Sequence, residues 1–388
     1  MRPSAVLASA AILPLSVAQA LTYSDSIFSP AIAQKYALVG AKYRPGELPH
    51  LTNATGSWLW EPADFWTAGF LPSCFYLLDE RSKLCPNRED LTSIDWLAIA
   101  RRWSDSVAPL QYNNSREHDQ GFLSYPFIHE LKVNPDNQAA VGAINNFASR
   151  LAGRFVEAVG CTRSWAGTRP RIGVTDPNGP DFLVIIDNLM NLEVLERSKQ
   201  LTKNQTLEHI AISHSNKTMI NHLRPDVLGQ EVHRSQAWGI HGFAMMYNYT
   251  KQTQFLATSL RMADLFLSRV PSSGIVPWDF DAPNASELAD TSAATIAAQG
   301  MFTLADGLNH DGNSTGALYY QQQAVKLMMD TFTFAFQPSQ SWDSILSNGT
   351  SNNQSGRNNT GLIYGDYFAL KVIPLNLRFG VYGLILGL

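Results

Sequence analysis

The stretch "DTSAATIAAQGMFTLADGL", residues 290–308, decides the fold. It begins with an aspartate and continues in small and apolar residues at helical spacing. This pattern predicts an apolar helix in the interior of the protein, with a polar residue at its start.

Five further segments share the pattern of a polar or aromatic opening followed by small and apolar residues. They are "FWTAGFLPSCFYLLDE", "HDQGFLSYPFIHE", "IDNLMNLEVLERSK", "SQAWGIHGFAMMY" and "YGDYFALKV". Measured between Trp66, Asp119, Asp187, Gln236, Asp290 and Asp366, the intervals are 53, 68, 49, 54 and 76 residues. Amphipathic stretches such as "SIDWLAIARRWSDSV" lie between them. Repeats of broadly similar length predict a ring of helical hairpins.

The predicted fold class is therefore all-α, an (α/α)6 toroid with an inner ring of apolar helices and an outer ring of amphipathic ones. The starts of the inner helices then gather at one mouth, where residues distant in sequence form a single cleft. An open helical solenoid would need more uniform repeats and polar caps. An all-β sandwich is disfavoured because few alternating strand patterns occur.

Composition excludes several classes of partner. The chain has 388 residues, of which 45% are hydrophobic and 16% charged, and this is ample for a large buried core. Its net charge is −4 without a basic patch or an acidic tail, so we expect no nucleic-acid partner and no electrostatic binding to a membrane surface. After the N-terminal segment, no stretch reaches the ~18 apolar residues of a membrane span. The sequence does not indicate an oligomeric state.

The N-terminal segment and the glycosylation motifs predict export. Residues 1–20 have a positive start at Arg2, an apolar core and a small-residue cleavage site "AQA", which is typical of a signal peptide. The rest, residues 21–388, is then one barrel domain. Ten Asn-x-Ser/Thr motifs suggest a glycosylated, extracellular protein. They lie at Asn53, Asn113, Asn204, Asn216, Asn248, Asn284, Asn313, Asn348, Asn353 and Asn358.

The three cysteines leave two alternatives. Cys74 and Cys85 are near enough in sequence to form a disulfide, which would leave Cys161 unpaired. Three buried thiols are an equal alternative, because spacing does not fix disulfide geometry.

Asp187 lies inside the apolar run "FLVIIDNLMNLEVLER", where an ionised carboxylate is costly to bury without a partner or a use. One interpretation is a helix N-cap after the strand-like "FLVII", since aspartate accepts the unpaired N–H groups of a first turn. The other is a proton-transfer group, poised between desolvation and hydrogen bonding. The two roles are compatible.

Asp119 in "REHDQGFLSYPF" has the same two interpretations. Two aspartates at equivalent starts of neighbouring hairpins, in a tryptophan-rich chain, favour a carbohydrate-active site. Trp residues stack on sugar faces, and paired carboxylates perform acid–base chemistry. The candidate tryptophans are Trp66, Trp165 and Trp238, although for each one alone core packing is the commoner role.

No metal or cofactor site is predicted. His214 and His222 lie on nearly the same helical face but two turns apart, and no carboxylate joins them at metal-ligand spacing. The chain has no GxSxG elbow, no phosphate-binding glycine loop and no HExxH motif, which argues against a serine or zinc hydrolase.

Taken in order, seven motifs resemble the unsaturated glucuronyl hydrolases of glycoside hydrolase family 88. They are "WTAGFLP", "HDQGF", "IIDNLMNL", "SQAWGIHGFAM", "VPWDFDAP", "DTSAATIAA" and "LIYGDYFAL". The resemblance covers most of the chain after the signal segment and implies an (α/α)6 barrel. It also implies a substrate whose non-reducing end is a Δ4,5-unsaturated uronic acid, left by a polysaccharide lyase.

The resemblance also implies residue roles. Asp187 matches the acid/base that hydrates the C4=C5 enol ether, and Asp119 matches the aspartate that orients substrate and tunes its partner. His118, Trp66, Trp238 and, more loosely, Trp165 match substrate contacts. Arg234 matches an arginine suited to the uronate carboxylate, and Gln236 shares its motif. No cofactor is implied, and the expected partner is the unsaturated oligosaccharide.

The chain departs from the family pattern at three places. About two dozen residues are missing before "SQAWG", Ser235 replaces a glycine, and Pro374 is expected to interrupt the sixth inner helix. Two other functions therefore stay open. One is an unsaturated rhamnogalacturonyl hydrolase acting on pectin fragments, and the other is a carbohydrate-binding barrel without turnover, favoured by the short connection.

Overall fold

A computed structural model describes residues 25–113, 117–165, 182–223, 233–282 and 288–378. The predicted signal peptide and the shortened connection before Ser235, at residues 224–232, lie outside these ranges.

Helices dominate the described residues. In chain order they are α1 Pro30–Ala41, α2 Phe70–Leu84, α3 Glu89–Thr92, α4 Trp96–Ser104, α5 Gln120–Val133, α6 Gln138–Ala152, α7 Asn188–Asn191, α8 Glu193–Thr202, α9 Gln205–His222, α10 His233–Thr250, α11 Thr253–Arg269, α12 Thr291–His310, α13 Ser314–Ala335 and α14 Ile363–Arg378. Two small antiparallel hairpins complete the regular structure. Their strands are β1 Glu47–Thr52, β2 Trp58–Pro62, β3 Phe155–Val156 and β4 Cys161–Thr162.

The inner helices form a closed ring, as the repeating segments predict. Helix α2 contacts α5, and α5 contacts the short helices α7 and α8. These contact α10, which packs on α12; α12 packs on α14, and α14 returns to α2. The expected (α/α)6 toroid is therefore confirmed.

The outer helices pack against this ring in sequence order. Helix α4 lies on α2, α6 on α5, α9 on α8, α11 on α10 and α13 on α12. Their buried residues follow helical spacing. On α4, for example, Trp96, Ala100 and Trp103 are buried, whereas Arg101 and Arg102 are exposed.

Four aromatic rings from four inner helices fill the centre of the toroid. Phe70 lies 5.3 Å from Phe122 between ring centroids, and Phe122 lies 5.6 Å from Trp238. Trp238 lies 5.4 Å from Phe368. All four are buried, and such rings dominate core energetics because of their large apolar area. This aromatic plug makes the toroid a solid core rather than a pore.

The first and last described segments close the ring together. Strand β1 pairs with β2, and Leu51 of β1 forms a bridge to Leu362, just before α14. The Thr52 N–H donates to the Gly361 carbonyl at 2.9 Å, and the Gly361 N–H donates back to the Thr52 hydroxyl at 2.8 Å.

The structure decides three expectations about local structure. Helix α14 continues through Pro374 to Arg378, so the expected interruption is wrong. Cys74, Cys85 and Cys161 are free thiols, which excludes the Cys74–Cys85 disulfide. The strand-like segment before Asp187 is an irregular segment rather than a strand.

Candidate active site

A cavity of about 450 Å³ lies at the mouth where inner helices begin. Its walls come from β1, from the starts of several inner helices and from the loop before α14. The lining residues are His50, Asp64, Phe65, Trp66, Glu117, His118, Asp119, Leu123, Trp165, Asp187, Arg234, Ser351, Asn352 and Arg357. A neighbouring cavity of about 480 Å³ shares Glu117 but holds neither candidate aspartate.

His118 joins the two candidate carboxyl groups. Its Nε2 lies 3.1 Å from Asp187 Oδ1 and 3.6 Å from Asp119 Oδ1. Its Nδ1 donates to the Ser164 carbonyl at 2.8 Å, which fixes the ring so that Nε2 faces both acids. His118 is buried, whereas the two aspartate side chains are 20% and 21% exposed and can be reached from the cavity.

Burial and neighbouring charges shift the pKa values of His118 and Asp119. Burial lowers the pKa of His118, but the carboxylates of Asp119 and Asp187 outweigh it and raise the pKa to about 9. Burial raises the pKa of Asp119 to about 6, helped by the Asp187 charge and opposed by His118. The imidazolium therefore bears N–H donors on both nitrogens at neutral pH. Because His118 and Asp119 interact strongly, their apparent pKa values belong to the pair rather than to one residue.

Both aspartates occupy helix N-cap positions, as predicted, yet neither side chain makes a capping hydrogen bond. At α7 the reason is local. The first N–H groups, those of Asn188, Leu189 and Met190, donate to carbonyls of residues 185–187 at 2.9–3.1 Å. The Asp187 carboxylate is therefore free for the cavity.

A hydrogen-bonded network supports this part of the site. The Asn188 side chain donates to the Thr162 hydroxyl at 3.0 Å and to the Thr162 carbonyl at 3.2 Å. The Thr162 N–H in turn donates to His214 Nδ1 at 3.1 Å. Burial lowers the pKa of His214 to about 3, so its ring stays neutral and can accept that bond. The network fixes β4, which leads into the segment that carries the Ser164 carbonyl.

His222, which lies two turns after His214 on α9, also contacts the backbone near the site. Its Nε2 lies 3.1 Å from the Val184 carbonyl, in the segment that leads to Asp187. The two histidines thus hold backbone on either side of the site and do not approach each other as metal ligands would. Among the residues that the structure describes, no cluster of three or more metal-binding side chains occurs.

Arg234 provides a fixed cation in the cavity wall. Its Nη1 donates to the Tyr364 hydroxyl at 2.8 Å and to the Thr350 carbonyl at 3.2 Å. Burial lowers the pKa of Arg234, but Tyr364, Asp290 and Asp187 more than offset it, so the net direction is upward. The guanidinium therefore stays charged in a partly desolvated wall, which suits it to a carboxylate ligand.

Two of the predicted tryptophans flank the cavity. The ring of Trp165 meets the His118 ring edge-on at 5.3 Å, and Trp66 lies over the aromatic plug, 5.7 Å from Phe122. Both are half-buried and line the cavity.

Trp238 and Gln236 do not line the cavity. Trp238 is only 3% exposed and belongs to the aromatic plug, so its expected sugar contact is not supported. Gln236 is 4% exposed in the first turn of α10. The remaining six predicted residues lie together at the cavity, and their roles in binding and catalysis stay predictions.

Sequence reasoning missed His50, Ser351, Asn352 and Arg357. Burial lowers the pKa of His50 to about 3, reinforced by Arg357 and Arg234, so this ring is neutral. Its Nε2 lies 3.5 Å from the Ser351 hydroxyl. These residues come from β1 and from an irregular loop, where no helical pattern points to the site. The pairing of β1 with the residues just before α14 brings them to the site.

The chain is similar to unsaturated glucuronyl hydrolases in sequence and in fold. A curated relative, the unsaturated glucuronyl hydrolase of Formosa agariphila, is 29% identical over 346 residues, covering 80% of each chain. The solved structure of the Bacillus sp. GL1 unsaturated glucuronyl hydrolase, described as responsible for the degradation of glycosaminoglycan, has 24% identity and a TM-score of 0.78. It covers 92% of this chain and 97% of that one. No family model matches the chain.

A second similar solved structure contains a bound sugar. It is a variant of the Streptococcus agalactiae unsaturated glucuronyl hydrolase complexed with dGlcA-GalNAc6S, with 21% identity, a TM-score of 0.71 and coverage of 92% of this chain and 90% of that one. Its fold is the one described above.

The curated relatives are named unsaturated glucuronyl hydrolases or unsaturated chondroitin disaccharide hydrolases, and similarity to them identifies this chain as a glycoside hydrolase. Within that class its sequence and fold are similar to those of the unsaturated glucuronyl hydrolases, which confirms the resemblance found in the sequence.

Where the described residues are concerned, no helix combines the length and the apolarity needed to cross a membrane.

Proposed function

We propose that this enzyme removes the Δ4,5-unsaturated glucuronic acid from the non-reducing end of oligosaccharides produced by polysaccharide lyases. The observation that carries the proposal is the placement of Asp119 and Asp187 on His118, in a cavity with Arg234 and two tryptophans. The names of the relatives support the same substrate class. They are called either unsaturated glucuronyl hydrolase or unsaturated chondroitin disaccharide hydrolase.

The reaction is hydration of an enol ether. A carboxyl group next to His118, Asp187 by resemblance, gives a proton to C4, and water that loses its proton to the same carboxylate adds its oxygen to C5. The product is a hemiketal at C5, which opens to a ketone and leaves a hemiacetal at C1. Loss of the remaining sugar as an alcohol from C1 completes cleavage. The C1–O bond is broken without direct displacement.

His118 and Asp119 adjust the proton supply in this proposal. Burial raises the pKa of Asp119, and the His118 imidazolium lies between this carboxyl group and Asp187. A substrate carboxylate near Arg234 adds a further anion to the cavity. Since like charges disfavour ionisation, substrate binding favours the protonated carboxyl group that the first step requires.

The test follows the ultraviolet absorbance of the conjugated C4=C5 bond. The full chain is incubated with an unsaturated chondroitin disaccharide and, separately, with an unsaturated galacturonyl–rhamnose disaccharide. Loss of absorbance with the first substrate but not the second supports the proposal. Loss with the second only would make the chain a rhamnogalacturonyl hydrolase. Saturable binding of disaccharide without any loss would make it a binding barrel.

We further propose that the enzyme is exported, glycosylated and made of one catalytic domain after the signal segment. The sequence motifs at residues 1–20 and the ten glycosylation acceptors support this. Expression in a eukaryotic secretory host, followed by N-terminal sequencing and enzymatic deglycosylation, tests it. A product retained in the cell with Met1 intact would contradict export.

A further inference from the structure

We infer that Asn191 is a positioning residue of this site, which caps helix α5 in place of Asp119 and so leaves the Asp119 carboxylate free beside His118. The activity part of this inference rests on the proposed function. The structural part does not, because it concerns hydrogen bonds and ionisation in the protein alone.

The geometry of the first turn of α5 carries the inference. Helix α5 begins at Gln120, so the N–H of Phe122 is in the third helical position, where an N-cap side chain normally accepts a bond. Asp119 is the N-cap residue but makes no such bond. The Phe122 N–H donates instead to Asn191 Oδ1, at 3.0 Å. The cap therefore comes from the neighbouring inner helix.

The other end of the Asn191 amide faces the second aspartate. Its Nδ2 donates to the main-chain carbonyl of Asp187 at 3.4 Å. Asn191 is fully buried, at 0% exposed, so neither bond can be exchanged for water at low cost. One side chain thus connects the starts of the two helices that carry the candidate acids.

Gly121 makes this contact sterically feasible. A Cβ atom at residue 121 would lie 2.4 Å from Asn191 Cα and 2.8 Å from Asn191 Oδ1. No side chain fits there without separating α5 from α7. The glycine of "HDQG" and the second asparagine of "DNLMN" are therefore two halves of one contact.

Removing the Asn191 oxygen gives the Phe122 N–H a different acceptor. The Asp119 carboxylate is attached at the N-cap position, from which an aspartate normally bonds the first turn. A carboxylate that accepts a backbone N–H is stabilised as the anion. It would also turn away from His118. The charged groups that face Asp119 are His118, Asp187, Glu117 and Arg154.

The experiment titrates the His118 imidazole by nuclear magnetic resonance in the full chain, with the signal assigned by its loss in His118→Gln. Asn191→Leu keeps the side-chain volume but has no acceptor, so we expect the pKa of His118 to fall by about one unit. Asn191→Asp keeps an acceptor for Phe122 and adds a negative charge, so the His118 pKa should stay or rise.

A matched control uses another interhelical asparagine. The Asn145 Oδ1 on α6 accepts from the Ser198 hydroxyl on α8 at 2.8 Å, and this bond lies outside the cleft. Asn145→Leu removes a comparable acceptor and should leave the His118 titration unchanged. With unsaturated disaccharide, Asn191→Leu should lose about 10–100-fold in kcat/KM, mainly in kcat, relative to Asn145→Leu.

Two results would overturn the inference. One is a His118 pKa in Asn191→Leu equal to that in Asn145→Leu. The other is an equal fall in Asn191→Asp, which would trace the effect to packing rather than to the cap. If Asn191→Leu does not fold, the comparison of Asn191→Asp with the unchanged chain still decides.

A double variant gives a third readout. In an Asp119→Asn background no carboxylate remains to be redirected, so adding Asn191→Leu should shift the His118 pKa no further. The titrations need no substrate, so a chain without hydrolase activity can still confirm or refute the cap.

Discussion

Two pairs of aspartates begin inner helices of the same ring, yet they differ in what their carboxylates bind. Asp290 caps α12 by accepting from the Ser292 N–H at 3.1 Å, and it also accepts from the Thr350 N–H at 3.2 Å. Asp366, in the first turn of α14, accepts from the Ile345 and Leu346 N–H groups at 2.8 and 3.2 Å. Asp119 and Asp187 bond no backbone donor at their helix starts.

The difference separates structural from chemical aspartates. Asp290 and Asp366 are buried, and their oxygens hold main-chain N–H groups of the loop before α14. At α5 and α7 other groups satisfy the backbone, so the carboxylates face His118 and the cavity. The two candidate acids face the cavity because other groups bond the first N–H groups of their helices.

The largest effect is expected from Asp187→Asn. The amide keeps the shape but neither holds an acidic proton nor activates water, so kcat should fall by roughly 10²–10⁴-fold, the usual contribution of general acid–base catalysis. Steady-state ultraviolet assays with unsaturated disaccharide measure it. Thermal stability at neutral pH should also fall, because the carboxylate that pairs with the buried His118 imidazolium is lost. Undiminished hydrolysis would remove Asp187 from the mechanism.

Gly121→Ala should affect both activity and stability. The added Cβ would lie 2.4 Å from Asn191 Cα, which requires α5 and α7 to move apart. We expect kcat/KM to fall by roughly 10²-fold from misplacement of the acids and the free energy of unfolding to fall by about 1–3 kcal/mol from overpacking. Gly142→Ala on α6 is the control, since its added Cβ meets nothing within 4 Å. Equal effects of the two variants would contradict the close-contact explanation.

Asp290→Ala should act mainly on stability. It removes the cap of α12 and a buried acceptor for Thr350, so the free energy of unfolding should fall by about 1–3 kcal/mol. Urea denaturation of both proteins at pH 7 measures this. If Asp290→Ala is as stable as the unchanged chain, the structural role of this aspartate is refuted.

The smallest effect concerns pH. Burial raises the pKa of Asp366 to about 7, although bonds from Ile345, Leu346 and Tyr36 oppose it. A folded-state pKa above that of the unfolded chain means that the folded protein holds a proton which the unfolded chain releases. This contribution to stability is complete below about pH 4 and is lost as pH rises through about 7.

Asp366→Asn should remove this component of the pH dependence. We expect the stability difference between the unchanged chain and Asp366→Asn to be larger at pH 5 than at pH 8, by about 1–3 kcal/mol. Urea unfolding at both pH values gives the two differences. A difference that is the same at both would show that Asp366 keeps one protonation state.

The sequence predicted the ring because its six segments repeat a physical pattern, an apolar helix with a polar start. It also identified both candidate acids, since an aspartate in an apolar run needs an explanation. It could not say which aspartates are caps, because that depends on donors such as Phe122 and Thr350 that lie elsewhere in the chain. Trp238 shows the converse error: a matching motif position proved to be part of the aromatic plug.

The loop residues of the site could not be found at all from local patterns. His50 lies on a short strand, and Ser351 follows a long outer helix by more than a dozen residues. Their proximity depends on hydrogen bonds between Thr52 and Gly361. Contacts over such sequence separations leave no local periodicity.

The same pairing has a consequence for biosynthesis. Strand β1 leaves the ribosome early, whereas its partners at Gly361 and Leu362 leave after almost all of the toroid. This pairing can form only when nearly the whole chain is available, and contacts over such a long sequence separation form slowly. Nascent hairpins must wait with apolar faces uncovered, a state prone to aggregation. The appearance of enzyme activity during translation would therefore report when β1 pairs with Gly361 and Leu362 and the helical ring closes.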